Sequence, residues 1–366
     1  MLANKLQEKF KLAQPKKRTL EKSEINGEKK KFKKRGGYSK PITTEEINEL
    51  KQTDLLCNEN VFFLQIEEIL KTSKLGEKYN NFISSWFEQF RTFVSSLPSD
   101  PEKRSINDLK WINKKVKIPL NTSHVEISDA MFQFITPKSI EIIGAHKLST
   151  SITGQDIYID VAIEIPSQCF QKENYLNLIY HKKKAIYLSD IARKLSDWEL
   201  VQSLKFTFFH NDQFSPVLIV SPKKSEFKKN IKFLIHLHCD QDTFKLNRFV
   251  TTTSNVRAAL FKEKAGNELV ATPHYNASIL KDLNLKENEQ FLEKTLSLHD
   301  NVRKSLVLLK LWLRSRHLDG GFFGFNSFIL SSYAGYLIKM KKITLSMNVY
   351  EVLRNFWINL GKIKLL

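Results

Sequence analysis

The segment DIYIDVAIEI, residues 156–165, alternates without a break. Ile157, Ile159, Val161, Ile163 and Ile165 face one way, while Asp156, Tyr158, Asp160, Ala162 and Glu164 face the other. A run of period two this long reads as a strand with one face made for a core and one face carrying carboxylates. Ahead of it, SIEIIGA (139–145) reads as a second strand ending in a tight glycine turn, and a polar segment joins the two.

Further strands are expected in KKVKIPL (114–120), SLKFTFFH (203–210), SPVLIVS (215–221) and KNIKFLIHLH (229–238), with a helix over NLIYHKKKAIYLSDIARKLS (177–196) among them. Helical patterns flank this region. TTEEINELK (43–51), where Thr43 or Thr44 can cap, and NNFISSWFEQFRTFVSSL (80–97) precede it. After about residue 275, apolar residues recur at three- and four-residue spacing through ENEQFLEKTLSLHDNVRKSLVLLKLWLRSRHL (287–318), NSFILSSYAGYLIKM (326–340) and SMNVYEVLRNFWINL (346–360). DGGFFGF (319–325) has glycines but no strand, lysine and hydroxyl context, so it reads as a turn and not a phosphate loop.

Charge is distributed unevenly. The chain carries +19, and residues 1–40 alone hold 14 lysines and arginines against four glutamates, a net of +10. That segment has few aliphatic residues, so it cannot bury enough apolar surface to offset chain entropy and is expected to be a disordered basic tail. Its clusters KKR (16–18) and KKKFKKR (29–35) fit a nuclear or nucleolar address or an RNA contact, with a solubilising role as the plain alternative. A polyanionic partner, nucleic acid first, suits such a chain, whereas nothing in it suggests a membrane anchor. The 366 residues, 42% hydrophobic, leave room for about two cored domains. Three scattered cysteines, Cys57, Cys169 and Cys239, suggest reduced thiols and not a disulfide framework.

With IIGA ahead of it, the acid-bearing strand resembles the nucleotidyltransferase superfamily of polymerase-beta type. The signature of that superfamily is a hydrophobic residue, Gly-Gly or Gly-Ser, a spacer, and two acids one residue apart on a strand. Two metals about 3.5–4 Å apart need carboxylates that share one strand face, and residues i and i+2 lie roughly 6.6 Å apart. Here the i+2 partner of Asp160 is Ala162, and that of Asp156 is Tyr158. Glu164 and Asp156 each lie roughly 13 Å from Asp160 along the strand, too far to substitute easily. The turn itself is Gly144-Ala145, without the second glycine or hydroxyl, and IKFLIHLHC offers no third acid, although Asp240 and Asp242 follow it.

The resemblance narrows with DVAIEIP (160–166), KKKAIYLSDIARKL (182–195), SLKFTFF (203–209), SNVRAALF with Asn255 and Arg257, PHYNASIL with Tyr275 and Asn276, and LLKLWLRSRHLDGGFFGFNSFILSSY (308–333). In this order they are similar to the Nrap family of nucleolar RNA-associated proteins, from about residue 85 to the end. The family's members resemble tandem copies of a nucleotidyltransferase domain plus the helical domain of poly(A) polymerases and oligoadenylate synthases, and they act in the small-subunit processome. The likeness implies an α+β fold: a degenerate polymerase-beta-type nucleotidyltransferase domain (112–275) and an all-helical domain (276–366), the latter expected to be cut short. A helical lead-in (43–111) and the disordered tail (1–42) precede them.

Function follows as an expectation. The chain should be a non-catalytic RNA- and protein-binding scaffold in precursor ribosomal RNA processing, in the nucleus and nucleolus, with precursor ribosomal RNA and other processome proteins as partners. No cofactor, metal, membrane or small-molecule substrate is expected. Gly144, Ala145, Asp160, Ala162 and Glu164 mark the degenerate site. Lys29, Lys30, Lys31, Lys33, Lys34 and Arg35 are candidate contacts, as are Arg303, Lys310 and Arg314, which form a basic helical stripe that a merely solvated face would also explain. Lys182, Lys183 and Lys184 either reach phosphate or form a solvated face. His236 and His238 share a strand face and read as structural and not as zinc ligands. The opposing expectation is an active template-independent nucleotidyltransferase using Asp160, with acids recruited from Asp156, Glu164, Asp240 or Asp242.

Overall fold

The computed structural model describes residues 42–56, 60–113, 116–120, 127–154, 156–223, 227–257, 270–320 and 324–362. The tail expected at 1–42 therefore lies, up to residue 41, outside the described residues, as does Cys57. The rest is a mixed α+β chain in which helices surround one five-stranded sheet.

The sheet contains β1 (Ser139–Ile142), β2 (Asp156–Ile165), β3 (Val201–Phe208), β4 (Pro216–Pro222) and β5 (Asn230–Cys239), in the spatial order β1-β2-β5-β4-β3. β2 and β5 run parallel at its centre over the whole length of both strands, and every other pairing is antiparallel. The alternation of β2 is realised: Ile157, Ile159, Val161, Ile163 and Ile165 are all buried in one core. On the other face Tyr158 is half exposed, whereas Ala162 and Glu164 are buried. The strand expected at 114–120 does not form over its described part, 116–120. Pro119 removes a ladder donor there, and Val116 and Ile118 lie against the core without pairing.

Helices α1 (Thr44–Leu56), α2 (Asn60–Ser73) and α3 (Glu77–Ser95) lead in. Thr43 caps the first, accepting from Glu46 N while its own N–H donates to the Glu46 carboxylate, a reciprocal box. α3 buries Ile83, Trp86, Phe87, Phe90 and Val94, the three- and four-residue spacing of a single stripe. That stripe joins the sheet's own core, with Trp86 stacked on Phe233 of β5 at 4.1 Å between ring centroids.

α4 (Ile179–Leu195) crosses the core face of the sheet and is buried nearly all round. Lys182, Lys183 and Lys184 are therefore neither a phosphate-reaching patch nor a solvated face. Lys182 donates to Asn107 Oδ1, Lys183 to the Cys169 carbonyl, and Lys184 pairs with Asp282 at 2.5 Å, all three amines being buried. Ile106, Ile112, Phe132 and Phe134 belong to the same core, and Phe134 stacks on Tyr187 of α4 at 4.9 Å between ring centroids. Burial pulls Lys183 down to about 8.

The C-terminal helices are α5 (Pro273–Leu283), α6 (Leu285–Leu296), α7 (Asp300–Ser315), α8 (Ser327–Lys339) and α9 (Val349–Gly361). The division expected at 275/276 runs through α5. Its Tyr275 and Asn276 point back into the sheet half: the Tyr275 hydroxyl donates to the Tyr175 carbonyl, and Asn276 Nδ2 donates to the carbonyls of Val250 and Thr253. Asn255 Nδ2 donates to Asn276 Oδ1 and to the Arg248 carbonyl. These motif residues pin an irregular stretch of backbone, adding side-chain donors to its carbonyls. α6 to α9 share a separate core of Leu292, Leu306, Leu330, Val352 and neighbours, which Leu148 enters from the sheet half.

Candidate functional site

The end of β1 and the middle of β2 meet at the glycine turn. Ile143 N–H donates to the Asp160 carbonyl at 2.9 Å, and Gly144 follows with φ +66°. A Cβ at Gly144 would stand 3.3 Å from Asp160 Oδ2, so the turn and the acid are in near contact. Asp160 is partly exposed, and its Oδ1 lies 2.9 Å from His236 Nε2 on β5. The neighbouring strand thus offers Asp160 an imidazole where a further acid was sought. Phe209 sets its ring edge-on to His236, and His210 beside it, held low by burial, completes the rim.

Ala162, two residues along, opens onto a recess of about 30 Å³ shared with Ser139, Ile143, His238, Lys286 and Glu289, room for little more than water. Glu164 is fully buried. Burial pushes its carboxyl up, but Lys138 at 3.0 Å, Ser139 at 2.9 Å and Lys286 at 3.3 Å outweigh that and hold it below the usual range. Asp156 pairs with Lys232 at 2.5 Å, and Asp240 with Lys138 at 2.7 Å; these contacts keep both carboxyls low. Each acid proposed for recruitment to Asp160, other than Asp242, is thus committed to a lysine elsewhere. Asp242 sits in a short turn in which its own N–H meets Asp240 Oδ1. Among the described residues no group of three or more His, Cys, Asp or Glu side chains is placed to hold a metal ion. Asp160 with a single imidazole does not fit a two-metal centre.

The helical layer contributes Glu289, not among the expected site residues, and Lys310, expected on a surface stripe. Glu289 of α6 accepts the Gly144 N–H at 2.9 Å, and burial pushes its carboxyl up. Lys310 of α7 is buried, with Nζ 2.7 Å from Thr150 Oγ1 and 3.0 Å from the Thr150 carbonyl, and burial pulls it down to about 7. Lys310 is therefore not part of a surface stripe: the α7 face that carries it turns inward onto Thr150. Arg303 and Arg314 remain outside, paired with Asp300 and Asp319. The six tail residues Lys29, Lys30, Lys31, Lys33, Lys34 and Arg35 lie outside the described residues. Glu289 and Lys310 did leave a signal, since each is a charge set on its helix's apolar stripe, Glu289 with Leu292 and Leu296, Lys310 with Leu306 and Leu313.

Residues 100–298 match the family model described as Nrap protein domain 1. The protein named Nucleolar protein 6 from Drosophila mojavensis is 37% identical over 346 residues, covering 93% of this chain and 28% of the relative. That of Xenopus tropicalis is 34% identical over 318 residues, covering 86% of this chain and 27% of its own. The chain spans little more than a quarter of the length of these curated relatives. Among solved structures, the Cid1 poly(U) polymerase bound to magnesium and 3'-dATP aligns at TM-score 0.41 and 10% identity, over 82% of this chain and 73% of that one. The GLD-2/RNP-8 complex aligns at TM-score 0.41 and 10% identity, over 76% and 56%.

Proposed function

The chain belongs to the Nrap family, and from that premise we propose that it is a non-catalytic scaffold module in the small-subunit processome, in the nucleus and nucleolus, contacting precursor ribosomal RNA and partner proteins. In this reading residues 112–275 are a degenerate nucleotidyltransferase module of polymerase-beta type and 276–366 its helical companion. Residues 43–111 are the lead-in and 1–42 a basic tail. The tail lysines with Arg35, and the surface residues Arg303 and Arg314, are its contact candidates. Lys310 is not among them.

One observation carries the non-catalytic half. Around Asp160 the i+2 position is Ala162, the neighbouring strand supplies His236, and the amide of the glycine turn is taken by Glu289. Transfer through two metals needs a set of converging carboxylates, which this arrangement does not offer. The net charge of +19 supports a polyanionic partner.

The test is gradient sedimentation of the tagged chain from cells, with and without RNase, probing each fraction for precursor ribosomal RNA. Co-migration with large, RNase-sensitive particles that contain that RNA is expected. A light, RNase-insensitive peak would overturn the scaffold assignment, and magnesium-dependent nucleotide incorporation lost in Asp160→Ala would overturn the non-catalytic one.

A further inference from the structure

Three ties reach the segment 144–150 from the helical layer. Glu289 takes the Gly144 amide at 2.9 Å, Glu293 one turn further along α6 pairs with Lys147 at 3.0 Å, and Lys310 of α7 donates to both oxygens of Thr150. Between these ties Leu148 enters the helical core beside Leu292, Leu296 and Leu309. Gly144 and Thr150 thus meet a buried acid and a buried amine of the helices at opposite ends of one short segment. A buried carboxylate needs donors in place of water, and the one that Glu289 finds is the amide of the glycine turn.

We infer that Gly144–Thr150 is a latch between the sheet and the helical layer, in which Glu289 supplies the negative charge that a ligand's phosphate would otherwise bring to the turn. The helices are held on the sheet edge by the chain itself. Nucleoside triphosphate is neither required for closure nor admitted at this amide. The latch rests on the contacts just given; the part of Glu289 in place of phosphate and the choice of a nucleotide as probe rest on the proposed nucleotidyltransferase descent of the turn.

Amide hydrogen exchange on the full chain tests it. Peptides covering 144–150 are expected to exchange slowly and at the same rate with or without ATP and magnesium. Glu289→Ala should speed that exchange about tenfold or more, the loss of a charge-assisted bond. Glu289→Gln keeps an acceptor without the charge and should speed it only about threefold. Unchanged exchange in Glu289→Ala, or further slowing of the unmodified chain by ATP and magnesium, would overturn the latch. Should Glu289→Ala fail to fold, the Glu289→Gln and nucleotide measurements decide alone, with an unchanged rate in Glu289→Gln counting against it. Sedimentation of the same preparations separates the two proposals: a chain that stays on RNA particles but slows with ATP loses the latch and keeps the scaffold.

Discussion

Gly144 is constrained twice over, and neither constraint involves a ligand. Its φ of +66° is left-handed, and a side chain there would crowd Asp160 Oδ2 at 3.3 Å. Gly144→Ala should cost about 1–2 kcal/mol from the backbone alone, read as a lowered urea midpoint with unchanged slope. The Lys184–Asp282 pair makes a larger demand. Both side chains are buried, and the Tyr180 hydroxyl also donates to Asp282 at 2.9 Å. Asp282→Ala leaves a buried ammonium without its partner and should cost roughly 3–5 kcal/mol, while Lys184→Met together with Asp282→Leu should recover most of that loss. The measurement is the difference in unfolding free energy between the single and the double variant. Recovery failing in the double variant would mean that the site depends on the pair's polarity and not on its balance.

Helix α4 shows how far periodicity carries and where it stops. Its existence was legible, because Tyr180, Lys184, Leu188, Ile191 and Leu195 lie on one stripe. Its near-complete burial was not, because the cover comes from Ile106, Ile112, Phe132 and Phe134, scattered residues that leave no periodic trace. The strict alternation of β2 correctly gave the core face, but it could not show that Ala162 and Glu164 are roofed by α6, more than a hundred residues later. The Glu289–Gly144 contact, 145 residues apart, lies beyond any local pattern. What the sequence did display was the anomaly: Lys184, Glu289 and Lys310 are all charges on apolar stripes, and all three are paired inside. α3 is the simpler case, a helix whose docking was written in Ile83, Trp86, Phe87, Phe90 and Val94. Trp86→Ala removes the ring stacked on Phe233 and near Trp198, and should cost about 3–5 kcal/mol in denaturant unfolding.

Across the whole chain, burial holds several bases below their ordinary values, and this sets how stability follows pH. His146, His181, His210 and His238 are depressed from 6.5, and Lys183 and Lys310 fall from 10.5 to about 8 and about 7. A depressed base binds fewer protons folded than unfolded, so stability rises with pH between the two values. The histidine contribution is complete above pH 6.5 and is lost as pH falls below it. Lysine stabilisation grows from pH 7 upward, Lys310 supplying on the order of 2 kcal/mol between pH 7 and 9. Above about pH 9 the rise levels off, because burial raises the thiols of Cys169 and Cys239 to about 11 and about 12, and the unfolded chain's earlier loss of those protons offsets the lysine gain. Unfolding midpoints should therefore climb from pH 7 to about 9 and level off above it, and Lys310→Met should flatten the climb. The parallel pairing of β2 with β5 has a consequence of another kind. Its two strands are separated by α4 and the β3–β4 hairpin, so the middle of the sheet cannot zip until residue 239 has been made. On a translating ribosome, Trp86 and Phe90 emerge well before Trp198 and Phe233, the rings that cover them, and during that interval this sticky helix is a natural place for a chaperone to hold the nascent chain.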